Sequence, residues 1–157
     1  MPKYWWVNQG RTYEVQRAGG YLFASSGSGS GREVPSWEAL KQMLPGDTVF
    51  HYSEGLLRAL GKVSAPAETA VHPDGEREGA EVNADNGYKV SVEYHQIDPP
   101  ISLDEIPLRL RDPKLGPFTK GKERVGTPQQ GYAFPLTNGF VMDFKKAFPD
   151  RLPIDPW

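Results

Sequence analysis

Three histidines, His51, His72 and His95, are the side chains best suited to move protons or bind a metal near neutral pH. No two of them have i,i+2 or i,i+4 spacing on one element, so metal catalysis and His-Asn-His nuclease chemistry lack their residues. Each reads as an ordinary surface or strand residue. The chain contains no cysteine, which excludes thiol nucleophiles, zinc ribbons and disulfides. It has no G-x-S-x-G elbow and no Walker loop. The SSGSGSG run at Ser25–Gly31 lacks the lysine and the strand-to-helix context of a phosphate cradle. Lys62 and Glu93 remain as one base and one acid that a barrel interior could bring together. No catalytic residue and no cofactor are expected.

The aromatic residues say more. Trp5, Trp6, Tyr13, Tyr21, Phe23, Tyr52, Tyr88, Tyr94 and Tyr132 fall at strand ends or beside Gly- and Ser-rich stretches. Trp37 and Phe50 read as core, because aromatics bury a large area. A strand such as Tyr4-Trp5-Trp6-Val7 sends alternate residues to opposite faces, so its two tryptophans cannot enter one core. A pocket with two or three aromatic walls suits a flat base pulled from its stack, and each stacking face contributes about 1–3 kcal/mol.

The elements that must position these residues are short. Lys3–Asn8 reads as a first strand, followed by a helical turn that Thr12 caps and Gly19-Gly20 ends. Tyr21–Ala24 is extended and leads into the flexible stretch Ser25–Gly31. Ser36 caps a helix over Trp37–Met43, and Pro45-Gly46 stops it. Thr48–Tyr52 and Leu56–Ser64 form a hairpin around Ser53-Glu54-Gly55. A polar loop spans 66–87. Tyr88–Ile97 alternates cleanly as a strand, which Asp98-Pro99-Pro100 is expected to break. Ser102 caps a helical turn, Gly131–Leu136 is a strand, and Thr137 caps a last helix that runs to Phe148. The expected fold class is α+β, a small, curved, mostly antiparallel barrel-like sheet with short flanking helices.

At 157 residues the chain predicts a single domain over 1–157. Glycine and proline supply 17 and 15 residues, which favours turns over long helices. No apolar run reaches the length of a membrane span and no signal-peptide pattern opens the chain, so a soluble, cytoplasmic domain is expected. The net charge of −2 argues against nonspecific coating of nucleic acid, yet the charge is uneven. Glu68, Asp74, Glu76, Glu78, Glu81 and Asp85 face only Arg77 between Pro66 and Gly87. Arg109, Arg111, Lys114, Lys120, Lys122 and Arg124 face only Asp112 and Glu123 between Leu108 and Val125. The first reads as an acidic rim. The second reads either as a solvated loop or as a DNA-backbone contact.

The blocks YWWVNQGRTYEVQRAGGYLFA, PGD-x-VFHYSEG-x-LRALGKV, GYKVSVEYHQIDPPISLDEI and QQGYAFPLT resemble an EVE domain over nearly the whole chain. EVE domains group with YTH and ASCH domains in the PUA-like superfamily. The YWWVN opening resembles reader modules at the N-terminus of modification-dependent restriction enzymes, often joined to an HNH nuclease. The resemblance implies a non-catalytic reader that flips a modified base, 5-methylcytosine or 5-hydroxymethylcytosine, out of double-stranded DNA. Any nuclease would then lie in a fused or associated domain. Carried over by position, it implies a base pocket of Trp6, Asn8, Gln9, Tyr13, Tyr21, Phe23, Ala24, Ser25, Tyr88, Gln130 and Tyr132. Phe23 stands where relatives often have Trp, and loop 66–87 lacks their second cage Trp, leaving Tyr88 as its substitute. Two other readings compete: a reader of modified RNA, and an ASCH-like amidohydrolase acting on modified nucleosides through Lys62 and a carboxylate.

Overall fold

The first strand buries both of its tryptophans because the sheet around it has an apolar layer on each face. The computed structural model describes residues 3–25, 36–70, 87–107, 110 and 133–155. Their elements are β1 (Tyr4–Asn8), α1 (Tyr13–Gly19), β2 (Tyr21–Ser25), α2 (Ser36–Gln42), β3 (Thr48–Ser53), β4 (Leu56–Val63), β5 (Glu68–Ala70), β6 (Gly87–Ser102), β7 (Ala133–Leu136) and α3 (Asn138–Ala147). Short 3₁₀ turns at Gly10–Thr12 and Leu103–Glu105 join some of them. Six strands run in the order β2-β6-β4-β3-β1-β7, with β5 also paired to β6. β1 and β3 are parallel and every other pair is antiparallel. The result is a strongly curled half-barrel, an α+β fold with a small, curved, mixed sheet.

The inner face is lined from every strand of that order. Leu22, Val90, Val63, Val49, Trp5, Val7 and Ala133 meet there and are capped by Ala39 and Leu40 of α2 and by Met43. Helix α2 packs against both β2 and β7, the two edges of the curl. It thereby covers strand edges that would otherwise present unpaired backbone. The outer face holds Trp6, Phe50, Leu60, Ile97 and Ile101 under Phe140, Val141, Phe144 and Phe148 of the α3 region. Thr137 fixes the start of α3 by accepting the Phe140 amide at 3.1 Å, as expected of a cap.

The PGD turn is structural. Gly46 has φ 95°, a region glycine adopts freely. The buried Asp47 carboxylate accepts from the Lys3 and Leu44 amides and from Trp5 Nε1, at 2.9, 3.1 and 3.0 Å. This one side chain ties β1 to the entry of β3.

Two expectations from the sequence are corrected. Asp98-Pro99-Pro100 does not end β6, which runs on to Ser102. Prolines are tolerated there because β6 leaves the β4 ladder at that point. Ala59 pairs with Gln96 and Leu57 with Ile101, so residues 97–100 are not needed as ladder donors. The polar stretch 66–87 is likewise not all loop, since Glu68–Ala70 forms β5 along β6.

Candidate functional site

A directional hydrogen-bond network closes one end of the half-barrel. Gln9, just past β1, donates from Nε2 to Gln16 Oε1 of α1 at 2.8 Å and to the Tyr94 hydroxyl of β6 at 2.9 Å. With both amide hydrogens used, its Oε1 can only accept, so His51 Nδ1 at 2.7 Å must carry the proton. Tyr94 in turn donates to the Tyr21 carbonyl at 2.8 Å. Gln16 donates to Thr12 Oγ1, and Thr12 to the Gln9 carbonyl. The network therefore joins β1, α1, β3, β6 and β2 in a single sense.

His51 is fully buried, and burial pushes its pKa down to about 3, so the ring is neutral. Its ring stacks on Tyr94 with centroids 4.1 Å apart. The two come from β3 and β6, and β4 lies between them; the stack exists because the intervening residue is Gly61. A Cβ there would meet His51 Nε2 at 2.4 Å and Val92 Cγ1 at 2.6 Å. The expectation that His51 is an ordinary strand residue missed this role. No local signal announces it, because the Gln9–His51–Tyr94 contact is made across three strands.

The candidate base-pocket residues separate into groups. Residues directly opposite in an antiparallel pair share a face, and Phe23 pairs with Lys89 whereas Ala24 pairs with Tyr88. Phe23 and Tyr21 therefore lie on the outer face of β2, and Ala24 and Tyr88 on the inner one. The expected cage with Phe23 and Tyr88 as facing walls is not formed. Tyr88 is half-buried against the inner cluster with Lys41 Nζ 5.5 Å over its ring. Trp6 belongs to the outer core, packed against Tyr52 and Phe140, and is not a pocket wall. Asn8, on the same face as Trp6, is half-buried. Gln9 is the buried one of the two, and both of its amide hydrogens are held internally. Ser25 ends β2; its side chain, Gln130, Tyr132 and all six basic residues from Arg109 to Arg124 lie outside the described residues.

Tyr21 and Phe23 are both buried on the outer face of β2. Lys89 Nζ lies 5.1 Å from the centre of the Tyr21 ring. Tyr13 stands elsewhere. With Glu14, Arg58, Gln96, Ile97, Asp98 and Pro100 it lines an open cleft of about 300 Å³ that includes neither Tyr21, Phe23 nor Tyr88.

Lys62 faces outward. It donates to Thr48 Oγ1 at 2.6 Å and stands opposite Glu93, on the same face as Leu60 and Phe50. Among the described residues no group of three or more His, Asp or Glu is placed to hold a metal ion. No described helix is long and apolar enough to cross a membrane.

No family model matches the chain, and no curated protein matches it. Among solved structures, the chain is similar to Rpa0253 from Rhodopseudomonas palustris, at 13% identity and a TM-score of 0.48, over 92% of each chain. It is also similar to Atu2648 from Agrobacterium tumefaciens, at 20% identity and a TM-score of 0.48, over 97% of this chain and 99% of that one.

Proposed function

We propose that this half-barrel is a PUA-like EVE domain that reads a modified base, 5-methylcytosine or 5-hydroxymethylcytosine, flipped from duplex DNA, and performs no catalysis itself. The observation that carries the reading is the outer face of β2. Two aromatic rings, Tyr21 and Phe23, share that face, and the ammonium group of Lys89 lies 5.1 Å from the centre of the Tyr21 ring. Aromatic faces beside a cation offer stacking for a base and charge for its phosphate. The Tyr94–Tyr21 hydrogen bond ties this strand to the buried Gln9 network, so the platform is held before any ligand arrives. The motif blocks of the sequence favour DNA over RNA as the source of the base.

The test is an anisotropy titration of duplexes carrying cytosine, 5-methylcytosine or 5-hydroxymethylcytosine at one position, with a modified single-stranded RNA in parallel. Burying one methyl group contributes about 0.8 kcal/mol, so a preference of about fourfold or more for a modified duplex is expected. Phe23→Leu, which keeps an apolar side chain but removes the ring, should erase most of the affinity for the modified duplex. Equal affinity for all duplexes refutes the reading, and tighter binding to the RNA replaces it with the RNA alternative.

A further inference from the structure

The cleft around Tyr13 is built by an irregularity that two strands share. Between Leu57 and Ala59 the β4–β6 register breaks, and between His51 and Tyr52 the β3–β4 register breaks, leaving Arg58 as the extra residue of β4. Bulges of this kind re-aim a side chain and cluster beside functional sites. Opposite Arg58, residues 97–100 of β6 swing free of the ladder, and Ile97, Asp98 and Pro100 become one wall of the cleft. Arg58 is held in place: its Nε donates to the Ser53 carbonyl at 3.0 Å, and its guanidinium lies 5.7 Å from the centre of the Tyr13 ring. Tyr13 itself is 3% exposed, wedged edge-on against Tyr94.

Its hydroxyl is buried and completes no hydrogen bond. Gln96, another lining residue, acts on that hydroxyl, but burial outweighs it and holds the phenol pKa above the ordinary value. A buried donor left unmade is costly and marks a place where a ligand or water completes the set. The chemistry around it is specific. The Tyr13 hydroxyl and the Arg58 guanidinium donate, the Asp98 carboxylate accepts, and the Gln96 amide does both. Glu14 is engaged by Arg17 at 2.9 Å, which leaves one cation and one anion, Arg58 and Asp98, facing the space. Those charges balance, so the matching ligand is neutral. A volume of about 300 Å³ is at the small end of ligand sites and admits a single ring.

We infer that this cleft is a second binding site, for a neutral, planar, single-ring heterocycle with adjacent carbonyl and N–H groups, the chemistry of a pyrimidine base. The carbonyl accepts from Tyr13 and Arg58 while the ring N–H or exocyclic amine donates to Asp98 or Gln96. The site rests on the cleft alone and stands whether or not β2 stacks a modified base.

The experiment is an amide NMR titration of the full chain with uridine and cytidine, repeated on Tyr13→Phe, Gln96→Leu and Phe23→Leu. Saturable shifts at Glu14, Arg58 and Gln96 are expected, with a dissociation constant below about 10 mM. Tyr13→Phe should weaken binding at least about fivefold, since a hydrogen bond to a buried donor is lost. It should change the melting temperature little, because that hydroxyl completes no well-formed hydrogen bond in the free protein. Gln96→Leu, at an exposed position, should weaken binding in the same way, and Phe23→Leu should not. No saturable shift at the cleft overturns the proposal. So does a Tyr13→Phe variant that binds as the parent does, or one that loses stability, which would make the hydroxyl structural. Failure of the duplex titration leaves this result untouched, and the reverse also holds.

Discussion

Gly61→Ala places a methyl group where the His51 and Tyr94 rings now meet over bare backbone. The added Cβ would lie 2.4 Å from His51 Nε2 and 2.6 Å from Val92 Cγ1, both below any tolerable contact. Val92 is packed in the inner cluster, so His51 must give way. Moving it breaks the bond from Nδ1 to Gln9 Oε1 and strands two buried polar atoms. Overpacking costs about 1–3 kcal/mol and a stranded buried polar group a similar amount, so the expected loss is about 2–5 kcal/mol. With a urea dependence of about 2 kcal/mol per molar, the unfolding midpoint falls by about 1–2.5 M and the slope is unchanged. Gly55→Ala is the control. Gly55 has φ 84° and nothing within 4 Å of an added Cβ, so it reports backbone strain alone, about 1–2 kcal/mol. A Gly61→Ala variant no less stable than Gly55→Ala refutes the view that His51 stacks directly on Tyr94 across β4.

Three further outcomes are expected. Because burial lowers the His51 pKa from 6.5 to about 3, the unfolded chain binds the extra proton between those values and the folded chain does not. Stability is lost as pH falls through that window, by up to about 1.4 kcal/mol per unit, and His51→Gln should remove one proton from the slope; an identical slope in both proteins refutes it. Gln9→Ala removes one hydrogen bond each from Gln16, His51 and Tyr94 and should cost about 2–4 kcal/mol in denaturant unfolding, against less than about 1 for the half-buried Asn8; equal costs would contradict the network. Reversing Lys120, Lys122 and Arg124 together should lower the slope of log affinity against log salt by about 0.9 per lost phosphate contact, equally for modified and unmodified duplexes; an unaltered slope leaves that stretch a solvated loop.

Local pattern made most of the elements legible. The alternation of Tyr88–Ile97, the Thr137 cap and the PGD turn mark segments whose structure follows from a few neighbours. The two faces of Tyr4–Val7 were legible too, since period-two geometry forces Trp5 and Trp6 apart, and they enter different cores. What sequence could not supply was register. Whether Phe23 shares a face with Tyr88 depends on a pairing that shifts by one residue at no local cost, and the actual pairing sets them on opposite faces. The bulge at Arg58 is equally silent, because it arises from the mismatch of two strands that meet only in three dimensions. Alternation leaves only one of Asn8 and Gln9 pointing inward, but it did not say that the one is Gln9. Its role was not legible either, because that depends on Gln16, His51 and Tyr94 consuming its amide.

The central claim, that a modified base leaves the duplex for an aromatic face of this domain, is tested most directly by the fluorescence of 2-aminopurine placed beside a single 5-methylcytosine or 5-hydroxymethylcytosine. Extruding the neighbour unstacks the probe and releases its quenching. A saturable rise in fluorescence is expected with a modified duplex, little change with the unmodified one, and loss of the rise in Phe23→Leu. Binding to the modified duplex at saturation with no rise would contradict that claim.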